Sequence, residues 1–204
     1  MAYNKFTIDR VRKQFQIQVV EQDSLFPEIE AVAAGEMLRY FLNRHLPLAE
    51  AIGTEKAKSE FIIAPILAEL RELTDRQVSL FSGLEFNVDE AQGLSGCCDY
   101  IISQSGLQFS ITAPVLVMVE AKNDNINSGL GQCMAEAIAA QVFNQQEENQ
   151  IETIYGCVTT GSIWRFLKLE GKKIAIDDQL YFIDRLETLL GILVQIVTMG
   201  RSVQ

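Results

Sequence analysis

The sequence predicts an α/β fold in which helices flank a mixed central sheet. Segments with helical spacing of apolar residues alternate along the chain with strand-like segments. Residues 115–119 are apolar on both faces, as is typical of a central strand. The 204 residues are 48% apolar, which is enough for a sizeable core. Because no low-complexity linker divides the chain, we expect a single domain over residues 1–204.

The first third of the chain is predicted to be mainly helical. Residues 15–19 are the exception, because their apolar residues alternate with glutamine as in a strand with one buried face. Pro47 and Gly53 predict the end of the longest helical region. The predicted elements are a helix at residues 7–14, a strand at 15–19, a helix from about residue 23 to 47 or 53, and a helix at 54–73.

The remainder is predicted to contain most of the sheet. Turn-rich segments separate its apolar runs, and residues 104–113 can close a hairpin between the second and third of them. The predicted elements are strands at residues 78–88, 96–103 and 114–121, a helix from Gly129 to about Asn149, strands at 154–159 and 164–169, and an apolar helix from about residue 180 to 199.

The predicted C-terminal helix has a broad apolar face, which must be covered by the domain's own sheet or by a partner. The face consists of Leu186, Leu189, Leu190, Leu193, Ile196 and Val197. We therefore expect a homodimer that uses this helix. Its uncharged stretch, residues 188–199, is shorter than the ~20 apolar residues of a membrane span, so we expect no membrane partner.

The charge and the cysteines limit the functional classes. A net charge of -10 excludes a broad basic surface for long nucleic acid, so any such contact must be local. The four cysteines form no CxxC pair, and no secretory signal pattern opens the chain. We therefore expect a reducing, cytoplasmic location.

Glu120 and Lys122 are the first candidate site residues. They lie two positions apart at the end of the most hydrophobic predicted strand, so the pleat directs both side chains to one face. Taken alone, this spacing is better explained by a plain ion pair at the margin of the sheet.

Asp99 strengthens the functional interpretation. It interrupts an apolar run on the preceding strand, where an unpaired buried carboxylate is costly. A hairpin places it beside Glu120, and two adjacent carboxylates repel each other unless a cation or a proton lies between them. Mg²⁺ suits such a site, because it accepts carboxylate, carbonyl and water oxygens and needs no histidine.

These residues resemble the signature of the PD-(D/E)XK nuclease superfamily, and the chain is similar to small bacterial, cyanobacterial-type members. The resemblance covers roughly residues 55–170, and Cys98 stands in place of the signature proline. The matching positions, in order, are Glu60 on the preceding helix, Asp99, Glu120-Ala121-Lys122, and Gln132 with Glu136 one turn later, where some members have a QxxxY pair.

The resemblance implies a restriction-endonuclease-like fold and a Mg²⁺ or Mn²⁺ ion. Asp99, Glu120 and the Ala121 carbonyl would hold the ion, and Glu60 would complete its shell. Lys122 would orient or deprotonate the attacking water, while Gln132 would position a phosphate or Lys122. The roles of Glu60, Lys122 and Gln132 are implied by the resemblance alone.

Simpler interpretations exist for three of these candidates. Glu60 is also explained as a carboxylate favoured by the dipole at the start of a helix. Gln132 and Glu136 are also explained as a solvated pair one turn apart.

Three functions follow from the sequence. The first is Mg²⁺-dependent phosphodiester hydrolysis of DNA, in restriction, repair or a mobile element. The second is a catalytically inactive binding or assembly module of the same fold, which the charge of -10 favours. The third is metal-dependent hydrolysis of a small phosphorylated ligand.

Overall fold

The computed structural model describes residues 2–199, and within this range eight strands form one sheet. Strand pairing is parallel in two places and antiparallel elsewhere. The strands are β1 Gln18–Gln22, β2 Ser79–Glu85, β3 Cys97–Ser103, β4 Val115–Ala121, β5 Thr153–Thr159, β6 Ile163–Glu170, β7 Lys173–Asp177 and β8 Tyr181–Phe182. Their order is β1-β7-β6-β5-β4-β3-β2, with β8 beside β6, and the parallel pairs are β1 with β7 and β4 with β5.

Helices cover both faces of the sheet, which confirms the predicted mixed sheet flanked by helices. The helices are α1 Ile8–Phe15, α2 Glu36–Ile52, α3 Glu55–Lys58, α4 Ala64–Leu73, α5 Ile126–Gln146 and α6 Leu186–Met199. A π-helical segment, Ser59–Ile63, joins α3 to α4 without a break. Short 3-10 turns lie at Tyr3–Lys5 and Ile183–Arg185.

Strand β4 is the most buried strand, as its sequence predicts, because all seven of its residues are buried. Its first residue is fixed by a side chain from α5. Asn144, which is fully buried, accepts a hydrogen bond from the Val115 N–H at 2.7 Å and donates one to the Val115 carbonyl at 2.9 Å. The amide therefore replaces a strand partner where β4 begins.

Two apolar cores lie on opposite faces of the sheet. On one face, Ile101 and Met118 pack with α1 and α5. On the other, Tyr100 and Val119 pack with α2, α4 and α6. These residues are also cross-strand partners in the antiparallel β3–β4 pair. The alternation along both strands therefore decides which side chains reach α5 and which reach α4.

The N-terminal elements differ in part from the predictions. Phe15 ends α1, and Gln16 follows it with a φ of 56°, so the strand begins at Gln18. The predicted helix from residue 23 begins only at Glu36, and the preceding residues run without helix across the second core. Pro47 lies inside α2, which continues to Ile52 and ends at Gly53. Intrahelical proline costs one hydrogen bond, but α2 continues because its apolar face is packed.

The C-terminal region contains two strands that the sequence analysis missed, β7 and β8, and α6 begins six residues later than predicted. Its apolar residues are covered by the second core, so the chain itself provides the cover. The buried members of the predicted apolar face are Leu189, Leu190, Leu193, Ile196 and Val197. Among residues 2–199, no helix is both long enough and apolar enough to span a membrane.

Candidate active site

Asp99 and Glu120 lie opposite each other across β3 and β4. At this end of the ladder the register pairs Tyr100 with Val119, and its continuation by one residue places Asp99 opposite Glu120. Asp99 Oδ2 also accepts a hydrogen bond from the Ala121 N–H at 2.8 Å. Directly opposed side chains share a face of the sheet, so both carboxylates lie on the α5 side.

Both oxygens of the Glu120 carboxylate have hydrogen-bond donors. Lys122 Nζ donates to Oε1 in a close ion pair, and Gln132 Nε2 donates to Oε2 at 2.7 Å. The Glu120 side chain is 2% exposed, whereas that of Lys122 is 20% exposed. The pair therefore places a buried carboxylate directly beneath an ammonium that solvent can reach.

Burial and the negative charge of Asp99 raise the pKa of Glu120 to about 7, although Lys122 opposes the shift through its hydrogen bond and its charge. The ordinary glutamate value is 4.5. Near neutral pH, Glu120 is therefore poised between its protonated and ionised forms. A cation at this position would favour the ionised form.

Lys122 stays charged at this position. Partial burial lowers its pKa, but the hydrogen bond and the negative charge of Glu120 outweigh burial and raise it. Its stem crosses α5 at Gly129, where a Cβ atom would lie 3.1 Å from Lys122 Cγ and Cε. The missing side chain of Gly129 therefore provides the space through which the lysine reaches Glu120.

Gln132 and Glu136 extend the site into α5. Gln132 Nε2 donates to Glu136 Oε1 at 3.0 Å as well as to Glu120. Glu136 is 0% exposed, and its Oε2 has no hydrogen-bond partner in the described part of the chain. Burial, followed by the charge of Glu120, raises the pKa of Glu136 well above its ordinary value. The interpretation of these residues as a solvated pair is therefore wrong for Glu136.

Glu60 is not brought into contact with the two carboxylates. It is 54% exposed and forms an ion pair with Lys56 at 2.7 Å. Its neighbour Ser59 bonds to the hydroxyl of Tyr100, which faces the second core rather than α5. The helix therefore presents this part of its surface on the other side of the sheet from Glu120.

Glu55, at the start of α3, is the helix carboxylate whose charge reaches the site. Its negative charge contributes to the raised pKa of Glu120 and to that of Lys122, after the larger effects of burial and the nearer charges. Glu55 was not among the candidates selected from the sequence. Its position directly after the N-cap Thr54 would not distinguish it from an ordinary helix-start carboxylate.

Lys58 is a second residue that the sequence analysis did not select. Its Nζ donates to the carbonyl of Asn123 at 2.8 Å, and its side chain is 11% exposed. This bond joins α3 to the loop that follows Lys122. Lys58 therefore fixes the chain directly beyond β4.

The oxygen donors of this site suit Mg²⁺ in type. Among residues 2–199, no group of three or more His, Cys, Asp or Glu side chains is arranged to hold a metal ion. Mg²⁺, however, keeps several waters and commonly binds through only one or two carboxylates. Asp99 and Glu120, with the backbone carbonyl of Ala121, provide such a set if an ion takes the place of the Lys122 ammonium at Glu120 Oε1.

No family model, no curated protein and no solved structure matches this chain. Membership of the PD-(D/E)XK superfamily therefore stays a prediction from the residues. The fold and the site define a mixed α/β protein with paired acidic residues and a lysine at the ends of two central strands.

Proposed function

We propose that this chain is a Mg²⁺-dependent nuclease that hydrolyses phosphodiester bonds in DNA. The observation that carries the proposal is the position of Asp99 opposite Glu120, with Lys122 bonded to Glu120 on the same face. Two carboxylates and an ammonium in this arrangement combine cation binding with a positive charge for a phosphate.

Asp99, Glu120 and the Ala121 carbonyl would hold Mg²⁺ or Mn²⁺. When bound, such an ion lowers the pKa of a bound water and polarises a phosphate oxygen. Lys122 supplies an ammonium that orients the attacking water and offsets negative charge in the pentavalent transition state. Gln132 holds one oxygen of Glu120, so the carboxylate keeps one orientation.

The charge of the chain limits how DNA is bound. With a net charge of -10, most of the surface repels a polyanion, so the contact is confined to the site and its margins. Because few phosphates are neutralised, we expect weak binding with a shallow salt dependence, and cleavage at ends, branches or single-stranded segments rather than on long duplexes.

A cleavage assay tests the proposal. Single-stranded, duplex and branched DNA, with RNA as a further substrate, are incubated with Mg²⁺ or Mn²⁺ and with chelator. We expect metal-dependent cleavage of DNA that Asp99→Ala abolishes. Cleavage that persists in the Asp99→Ala preparation would indicate a contaminating nuclease, and no cleavage of any substrate would reject the proposal.

One observation favours a catalytically inactive binding or assembly module. Glu120 already has a donor at each oxygen, so Lys122 and Gln132 complete an ionic cluster without a metal. In that case the cluster has a structural role, and calorimetry with millimolar Mn²⁺ would record no binding heat for the wild-type chain.

The cytoplasmic location and the homodimer also stay proposals. Because α6 packs within the chain's own core, a dimer would have to use another surface. Light scattering across micromolar concentrations gives the mass directly, and a constant monomer mass would reject the dimer.

A further inference from the structure

Glu136 is costly to the fold and has no evident structural purpose. It is 0% exposed, and only one of its two oxygens accepts a hydrogen bond. Its neighbours in α5, Ala135 and Ala137, are small and fully buried. An apolar side chain at position 136 would avoid the desolvation of a carboxyl group, so packing alone does not explain a glutamate here.

The hydrogen bond that Glu136 accepts leads to the proposed metal site. Gln132 Nε2 divides its two protons between Glu136 Oε1 and Glu120 Oε2. With one proton directed to Glu136, the amide plane of Gln132 is fixed, and its second proton points at Glu120. The amide thus connects the buried glutamate to the proposed ligand, and Glu136 also interacts with Glu120 directly through a side-chain hydrogen bond.

This connection distinguishes the two oxygens of Glu120. Oε2 is held by Gln132 from the α5 side, whereas Oε1 accepts from Lys122, which directly follows the end of β4 and whose side chain is 20% exposed. Only Oε1 can therefore exchange its donor for a cation without breaking the bond from α5.

We propose that Glu136 is a positioning residue that acts through Gln132 to present Glu120 Oε1 to a divalent cation. The inference rests on the proposed function, because it assigns a task to the metal site proposed above. Outer partners that orient a metal ligand typically account for about 10- to 100-fold in metal affinity. The free-energy cost of burying the Glu136 carboxyl group would then be offset by a higher affinity of the site for the cation.

The N-terminal segment covers α5 beside Gln132. A Cβ atom at Gly131 would lie 2.5 Å from the carbonyl oxygen of Phe6 and 2.6 Å from Thr7 Cα, so the segment passes directly over the helix at this point. Gln132 itself is half-buried, whereas Glu136 is 0% exposed. Both hydrogen bonds described for Gln132 Nε2 go to protein carboxylates, and these bonds set the orientation of the amide.

The test compares metal affinity with stability in the full chain. Glu136→Leu removes the acceptor and the buried carboxyl group, so we expect Mn²⁺ affinity in calorimetry to fall about 10- to 100-fold while Tm rises. Glu136→Gln keeps a carbonyl acceptor for Gln132 and should retain affinity close to that of the wild type. If Glu136 had only a structural role, its replacement by Leu would lower Tm, and the two variants would not differ in Mn²⁺ affinity.

Gln132→Ala provides a second route to the same result at a half-buried position. It should weaken Mn²⁺ binding as much as Glu136→Leu does, and the double variant should bind no more weakly than either single variant. If the wild type binds Mn²⁺ and Glu136→Leu binds equally well, the inference is wrong and the proposed function stands. If the wild type itself fails to bind, the proposed metal site and the inference are both rejected.

Discussion

Lys122 lies across Gly129 so closely that no side chain fits between them. A Cβ atom at residue 129 would stand 3.1 Å from two carbons of the lysine and 2.7 Å from Val158 Cγ1. The ion pair between Lys122 and Glu120 therefore depends on a glycine of the facing helix, and this glycine is a specific target for mutation.

Gly129→Ala should displace Lys122 and leave most of the fold intact. Overpacking of this kind costs about 1–3 kcal/mol, and a displacement of ~1 Å at a reacting group can cost about 100-fold in rate. We expect a loss of cleavage much larger than the loss of stability in urea. Gly106→Ala is a suitable control, because its nearest neighbour, Arg76 O, would lie 3.8 Å away. Cleavage at the wild-type rate would show that Lys122 needs no such space.

Replacement of the charged residues should separate metal binding from chemistry. Lys122→Met removes the ammonium but keeps most of the stem, so Mn²⁺ should still bind, and more tightly, because a positive charge beside Glu120 is gone. Asp99→Ala removes a proposed ligand and should abolish the binding heat. Neither variant should cleave DNA. Cleavage by Lys122→Met as fast as by the wild type would contradict the proposed role of the lysine.

The stability of the metal-free chain should fall as the pH rises. Glu120 has a pKa of about 7 in the fold against an ordinary value of 4.5, so the folded chain binds a proton in this window that the unfolded chain has lost. The contribution of Glu120 to the free energy of unfolding is complete below the ordinary pKa of 4.5 and is lost as the pH rises through the pKa of about 7 in the fold. The loss is roughly 3 kcal/mol for this group alone.

Urea unfolding with chelator, at about pH 5 and about pH 8, measures most of this loss, because the pKa of Glu120 in the fold lies between those values. Glu120→Gln should depend less on pH than the wild type, and Mg²⁺ should restore stability to the wild type at the higher pH. Equal pH dependence in the two chains would show that Glu120 does not titrate in this way.

The helix carboxylates Glu55 and Glu60 should differ in their effect on the site. The charge of Glu55 acts on Glu120 and Lys122, whereas Glu60 is paired with Lys56. Glu55→Gln should therefore change Mn²⁺ affinity by several-fold, and Glu60→Gln should leave it nearly unchanged. The opposite order in calorimetry would support the assignment of Glu60 made from the sequence.

Local patterns predicted the centre of the sheet well. Strands β2, β3 and β4 lie within the predicted segments, because their runs of apolar residues are bounded by turn residues. The pairing of β1 with β7 was not predictable in this way. It joins Gln18 to Lys173, and no local pattern encodes a parallel pairing between such distant segments.

The site was predictable in its strand residues and less so in its helices. The period of a strand places Glu120 and Lys122 on one face directly, and the hairpin adds Asp99. The contribution of a helix depends on its rotation about its own axis, which is set by tertiary packing. A signal for Glu136 was nevertheless present, since α5 is rich in small and apolar residues on all sides and thus predicts a buried helix in which a carboxylate is unusual.

The π-helical segment Ser59–Ile63 has a consequence for the chain that precedes it. One extra residue in a helical turn rotates the upstream part by about 100° relative to a regular α-helix and shifts it by ~1.5 Å. Glu55 and Lys58 lie upstream of the segment, whereas the buried residues of α4 lie downstream. If the same residues formed a regular α-helix and the downstream packing were kept, Glu55 and Lys58 would turn away from the end of β4. The wide turn of the segment, rather than the chemical type of its residues, thus determines where the start of the helix points.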